Sequence, residues 1–330
     1  MIFKEKSDFL KKNEVSDEAV ESSVVALLAE QKNIPSVLYR RRERSNFQLE
    51  GENLSSLKGQ GMTFEEVRPY QVGDDIRRID WRVTAKQGRP YTKLFRQEKE
   101  RPVFILSDFQ NKMKFGTFGC FKSVLAAKIA AFLIFLFDAR KEKTGMVLTR
   151  SDKVEYFQPK RDKASVLSFI AALSRATRLK QNPPVQSAGP FFESTEKNQN
   201  NLFLQSLLNL DCLVSSGVAV FIISDFSDMN DSVEKALLKL ASKCDVSLIH
   251  ISDALENRLP ESGEYFLTDK TDVLLVDMKD KKLQNGYLEY FQARREHLVH
   301  LCRQHKMKLL FLRTDEKYEP LLSRFLKKGV

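Results

Sequence analysis

Two stretches of the chain are apolar without alternation and end in an acid: PVFILSD at 102–108 and GVAVFIISD at 217–225. Uninterrupted apolar runs of this length suit strands covered on both faces, as in parallel sheets. DVSLIHIS at 245–252 and MKLLFLRT at 307–314 read as further strands of the same sheet, and residues 145–152 and 153–159 as two strands joined tightly. Between them, apolar positions recur at helical spacing over 119–143, 163–178, 201–215, 230–243, 286–306 and 317–328. Two short strands are predicted at 264–268 and 272–277, and a polar Pro/Asn/Ser-rich loop from 180 to about 200.

Strands alternating with helices predict an α/β fold with right-handed crossovers and a doubly wound, mostly parallel sheet. The hairpin at 145–159 supplies an antiparallel edge. The chain before 102 differs. Val20, Val24, Leu27 and Leu28 mark a helix over 17–31, closed before Pro35. Residues 46–101 mix short β-like pieces, turns and many charges. The predicted organisation is an N-terminal helical extension at 1–35, a β-rich segment at 36–101 and the α/β domain at 102–330.

Composition sharpens this in three places. Among 330 residues there are 24 Phe and 13 Gly, which points to a ring-rich core with few glycine-dependent phosphate loops. The most apolar stretch, VLAAKIAAFLIFLF at 124–137, contains Lys128 and falls short of the roughly 20 residues that a membrane span needs, so it reads as a buried helix. Cys120, Cys212, Cys244 and Cys302 are widely spaced, and the N-terminus has no apolar leader. Reduced thiols in a cytoplasmic protein are the expectation.

Candidate chemistry lies where the two long strands end. Ligands of doubly wound sheets bind beyond the carboxyl ends of strands. Asp108 and Asp225 both stand there, able to hold a hard cation or to cap the next helices. His297, His300 and His305 share a helix with Cys302, but no i,i+4 ligand pair or H-E-x-x-H occurs, so a solvated helix face is expected. Neither G-x-S-x-G, G-x-x-x-x-G-K-[ST] nor G-x-G-x-x-G is present, which argues against a serine hydrolase, an ATPase or a dehydrogenase.

The segment GMTFEEVRPYQVGDDIRRIDW at 61–81, followed by Thr84-Ala85 and FRQEKERPVFILSD, resembles the signature of the domain-of-unknown-function 58 family. Gly59, Gly61, Phe64, Arg68, Tyr70, Gly73, Asp74, Asp75, Arg77, Asp80 and Trp81 match it. Agreement continues through Met113, Phe115-Gly116, Lys122, ISDF at 223–226, Leu259-Pro260 and Gly263. The resemblance implies a von Willebrand A-like body and a protein without catalytic activity or cofactor. It also implies action with a MoxR-type AAA+ ATPase, in chaperone-like assembly or maturation of client proteins.

The metal-ion-dependent adhesion site of such domains reads D-x-S-x-S, with a Thr and a further Asp from later loops. Here Asp108 and Asp225 match, while Gln110 and Lys112 replace the serines. A charged ammonium does not ligate a cation. The expectation is a degenerate, metal-free site in which Lys112 pairs with Asp108, Asp225 or both, kept for partner binding or for folding alone.

Residues 77–101 carry nine cations against three anions, interleaved with Trp81, Tyr91 and Phe95. Arg68, Arg77 and Arg78 are expected to pair with Asp74, Asp75 and Asp80 over a buried Trp81. Arg89, Lys93 and Arg96 are expected to form a basic face that meets an acidic protein. The alternative is a nucleic-acid-binding protein, or a metal-dependent nuclease using Asp108 and Asp225. Peripheral contact with a membrane is compatible with the same charge, a net +10.

Overall fold

In a computed structural model of the chain, residues 2–5, 17–39, 62–97, 102–179, 201–257, 264–268, 273–277 and 281–327 are described. The loop at 180–200, Gly59, Gly61, Arg101, Leu259-Pro260 and Gly263 lie outside them. The chain divides into two compact units, residues 44–100 and residues 1–43 with 101–330.

The larger unit is built on six strands. These are β4 (Val103–Phe109), β5 (Thr144–Arg150), β6 (Val154–Lys160), β7 (Ala219–Ser224), β8 (Asp245–Ser252) and β11 (Lys308–Arg313). Their order is β11-β8-β7-β4-β5-β6, and every neighbouring pair is parallel except β5 with β6. This is a mixed α/β fold with a mostly parallel six-stranded sheet. The chain adds β5 and β6 on one side of β4, then returns to add β7, β8 and β11 on the other. The order therefore reverses between β4 and β7, the switch point at which such sheets open a crevice.

Helices cover both faces. One core joins Val103, Ile105 and Phe109 of β4 to α4 (Lys122–Ala139), α5 (Lys163–Thr177) and α10 (Tyr318–Lys327). The other joins Phe104 and Leu106 to α6 (Leu202–Leu213), α7 (Asp231–Lys243) and α9 (Lys281–Gln304). The period-2 split of β4 between the cores is the pleat seen through packing. Helix α4 is buried along nearly its whole length, which is why its sequence is apolar all round. Among the described residues no helix is long and apolar enough to cross a membrane.

The N-terminal helical stretch belongs to this unit. Leu27, Ile34 and Leu38 are buried in the first core. The helix predicted over 17–31 is interrupted, giving α1 (Asp17–Val20) and α2 (Val24–Ala29). Tertiary bonds cause the break: the Ser22 N–H donates to Thr177 Oγ1 (3.0 Å) and Ser174 Oγ donates to the Ser22 carbonyl (2.8 Å). Ser23 then caps α2 by accepting from the Ala26 N–H. A strand at β1 (Ile2–Glu5), unforeseen in the polar N-terminus, pairs antiparallel with β9 (Glu264–Thr268), which pairs with β10 (Val273–Asp277).

The smaller unit holds β2 (Met62–Pro69) and β3 (Tyr91–Gln97), an antiparallel pair, with α3 (Trp81–Gln87) between them in sequence.

Candidate functional site at the carboxyl edge of the sheet

Asp108, near the end of β4, is buried, and so is Asp225, the residue after β7. The turn after β4 starts with the Gln110 N–H donating to Asp108 Oδ1 (3.0 Å), and Ser224 Oγ donates to Oδ2 (2.9 Å). Among the described residues no cationic side chain bonds to Asp108. Burial, then the neighbouring Asp225 charge, pushes the Asp108 carboxyl up to about 7.

Asp225 has a different environment. Its Oδ2 accepts from the Lys122 ammonium at 2.7 Å, and Oδ1 accepts from the Ser227 N–H at 2.9 Å. The same ammonium donates to Glu256 Oε1 at 2.8 Å, from the short helix α8 (Ala254–Asn257). Lys122 is 3% exposed, so this is a buried ion cluster and not a surface pair. Burial alone would raise Asp225, but the Lys122 charge and hydrogen bond hold it well below the usual carboxylate range. Burial would likewise lower Lys122, yet Asp225 and Glu256 hold it well above the usual lysine range. Burial pushes the Glu256 carboxyl up, against the pull of Lys122.

The expected partner of these carboxylates was Lys112, and that expectation is corrected. Lys112 is exposed and pairs with Asp228, which also accepts from Gln110 Nε2 at 3.1 Å. Position 112 follows the strand by three residues, in the 3₁₀ turn Asn111–Met113, and projects to the rim. Lys122 instead enters from the first residue of α4. The site thus has a buried cluster of Asp108, Asp225, Lys122 and Glu256 beneath an outer rim of Gln110, Lys112 and Asp228.

Two further features brace it. Phe226 is a buried non-glycine residue at φ 50, held by an Arg294 guanidinium bond to its carbonyl (2.7 Å) and by ring contacts with Phe203 and His250. Such backbone strain persists only where surrounding packing enforces it. Asp253, after β8, accepts from the Thr117 N–H (2.9 Å), Thr117 Oγ1 (2.5 Å) and Thr314 Oγ1 (2.8 Å), pinning the loop before α4 to the ends of β8 and β11. Gly119 in that loop lies at φ 77, and a Cβ there would meet the Thr314 carbonyl oxygen at 2.3 Å.

In the smaller unit the expected arginine–aspartate network forms only in part. Arg68 Nη2 donates to Asp74 Oδ1 at 2.7 Å, and the Gln71 N–H donates to Oδ2 at 2.9 Å. Gly73 makes the turn at φ 110, and the Tyr70 N–H donates to the Pro90 carbonyl at 2.8 Å. Asp75 and Asp80 do not take the guanidinium group of Arg77 or Arg78. Asp75 accepts from the Arg77 N–H, while Asp80 caps α3 through the Arg82 and Val83 N–H groups and pairs with Lys93 at 3.4 Å. An aspartate before a helix finds backbone donors nearer than any guanidinium, and such a cap is worth about 1 kcal/mol. Trp81, expected to be buried, is 68% exposed. Its position as the first residue of α3 turns it outward. Of the basic face, Arg89 is exposed, Lys93 is half-buried against Asp80, and Arg96 stands opposite Thr63 on β3.

Sequence reasoning missed Lys122, Glu256, Asp228 and Asp253 as site residues. One signal was present. A lysine at the first position of a helix opposes the helix dipole, so a buried one demands carboxylates.

The chain resembles proteins of known sequence along most of its length. It is 25% identical over 283 residues to "Uncharacterized protein Mb1516" of Mycobacterium bovis and to "Uncharacterized protein Rv1480" of Mycobacterium tuberculosis. That match takes in 84% of this chain and 83% of each relative. Among solved structures, a conserved hypothetical protein BatB from Bacteroides thetaiotaomicron aligns with 69% of this chain and 98% of its own, at 14% identity and a TM-score of 0.40. The profile of the family described as "Protein of unknown function DUF58" matches residues 66–297, from the Arg68–Asp74 turn through both strand-end aspartates into α9, and the chain therefore belongs to that family.

Proposed function

We propose that the chain is a non-catalytic adaptor with a von Willebrand A-like body, acting with a MoxR-type AAA+ ATPase in the assembly or maturation of client proteins. The observation that carries this reading is the Lys122 ammonium between Asp225 and Glu256. A von Willebrand A-like site implies a divalent cation with small hydroxyl ligands, and the residues here do not fit one. The Lys122 ammonium already stands between Asp225 and Glu256, and Gln110 and Lys112 turn to Asp228. The edge is therefore braced from within by its own ammonium, and the exposed Lys112 of its rim is placed to meet a partner's side chains. The same ammonium weighs against a nuclease built on Asp108 and Asp225, because two-metal chemistry needs carboxylates facing cations.

The test is capture of the purified MoxR-type ATPase of the same cell. Arg89→Glu with Arg96→Glu and Lys93→Gln, the last kept neutral because Lys93 serves Asp80, should weaken capture at least about tenfold, or about 1.4 kcal/mol. Melting should stay unchanged. Full retention of capture would remove this face from the reading.

A further inference from the structure

The smaller unit presents apolar side chains to solvent on one short stretch. Val72 is 102% exposed, Ile76 64% and Trp81 68%. Arg77, Arg78 and Arg82, interleaved with them, are exposed too. Of the carboxylates in the same stretch, Asp74 and Asp80 are half-buried and Asp75 is exposed. Asp74 takes Arg68 and the Gln71 N–H, Asp75 takes the Arg77 N–H, and Asp80 takes the N–H groups of Arg82 and Val83. The segment is also anchored by the Asp80 N–H donating to the Tyr91 carbonyl at 2.8 Å. The folded stretch thus ties Asp74 to Arg68 and Asp80 to Lys93, and shows an aromatic, two aliphatics and three guanidinium groups beside one exposed carboxylate, Asp75.

We propose that this stretch, residues 72–82, docks on an anionic lipid bilayer. Guanidinium groups meet the headgroup layer, Trp81 suits the interface where an amphipathic ring has both apolar and polar neighbours, and Ile76 and Val72 reach the acyl boundary. Single-stranded nucleic acid fits the chemistry less well, since it rewards stacking faces, which Val72 and Ile76 lack. An eleven-residue stretch is also small beside the 20–30 residues a side of a standard protein–protein interface. The docking stands independently of the adaptor reading, which uses the sheet edge and Arg89, Lys93 and Arg96.

Trp81 is the chain's one tryptophan, so its emission reports on this stretch alone. The intact chain is titrated with vesicles of phosphatidylcholine and phosphatidylserine at 70:30, and with pure phosphatidylcholine. Anionic vesicles should sediment the protein, shift Trp81 emission to the blue and, when brominated on the acyl chains, quench it. Arg77→Glu with Arg82→Glu should weaken binding by more than about tenfold, given about fivefold per basic residue near an anionic surface. Ile76→Ser should weaken it with the charge kept, and circular dichroism should show both variants folded. Three results would each overturn the proposal. They are no association with anionic vesicles, association with Trp81 neither shifted nor quenched, and a Trp81 shift produced by single-stranded DNA or polyglutamate but not by vesicles.

Discussion

Replacing Lys122 by Met should cost the larger unit about 3–5 kcal/mol at pH 7, the penalty for removing one partner of a buried ion cluster. Methionine fills much of the same space, so the loss would come from charge. Asp225 and Glu256 would remain in a site from which water is excluded, without the ammonium that both now accept from at 2.7 and 2.8 Å. The pH dependence supplies a second signature. In the native chain Asp225 is held below its ordinary range, so it contributes stability above its unfolded value, and this is lost as pH falls. In Lys122→Met both carboxyls are raised by burial and by each other's charge, and their contribution is lost as pH rises. Urea unfolding at pH 5 and pH 7.5 should show the variant recovering toward wild type at the lower pH. A loss under about 1 kcal/mol, equal at both pH values, would mean that the cluster is wetter and weaker than its burial indicates.

The second large effect has the opposite sign. Asp108→Asn should stabilise the protein at pH 8 by on the order of 2–4 kcal/mol and change little near pH 4. Asp108 lies at about 7 in the folded chain against an ordinary 3.8, through burial and then Asp225. The native state therefore holds a proton that the unfolded chain has released. Stability linked to this group is complete below about 4 and is lost as pH rises through about 7. Asparagine removes the ionisation while keeping an oxygen for the Gln110 N–H and polar contact with Ser224. Unfolding free energies across pH 4–8 should fall less steeply in the variant than in wild type. Parallel curves would show that Asp108 is not the group that titrates.

Much of the α/β architecture could be read directly from periodicity, because buried parallel strands and their covering helices leave the longest apolar runs in the chain. The runs ending in Asp108 and Asp225 became β4 and β7, and the hairpin at 145–159 became the antiparallel edge. Errors came where local pattern yielded to tertiary bonding. The helix over 17–31 breaks because Ser22 bonds to Ser174 and Thr177, more than 150 residues away. The site was half legible. Its acids announce themselves at strand ends, but which lysine reaches them depends on a helix packed across the sheet. Counting from the strand favoured Lys112, ten residues nearer than the partner the fold uses. Trp81 misled for a related reason, since a lone tryptophan amid charges reads as a core residue, whereas its place beside the Asp80 cap leaves it outside.

In the proposed site the Lys122 ammonium takes the place of a metal beside Asp225. Calorimetric titration of the native chain with Mg²⁺ and Mn²⁺ to millimolar concentration tests this most directly. With Lys122 bonded to Asp225 and Glu256, no saturable heat is predicted for either ion. A one-to-one site in wild type, lost in Asp108→Ala, would contradict it.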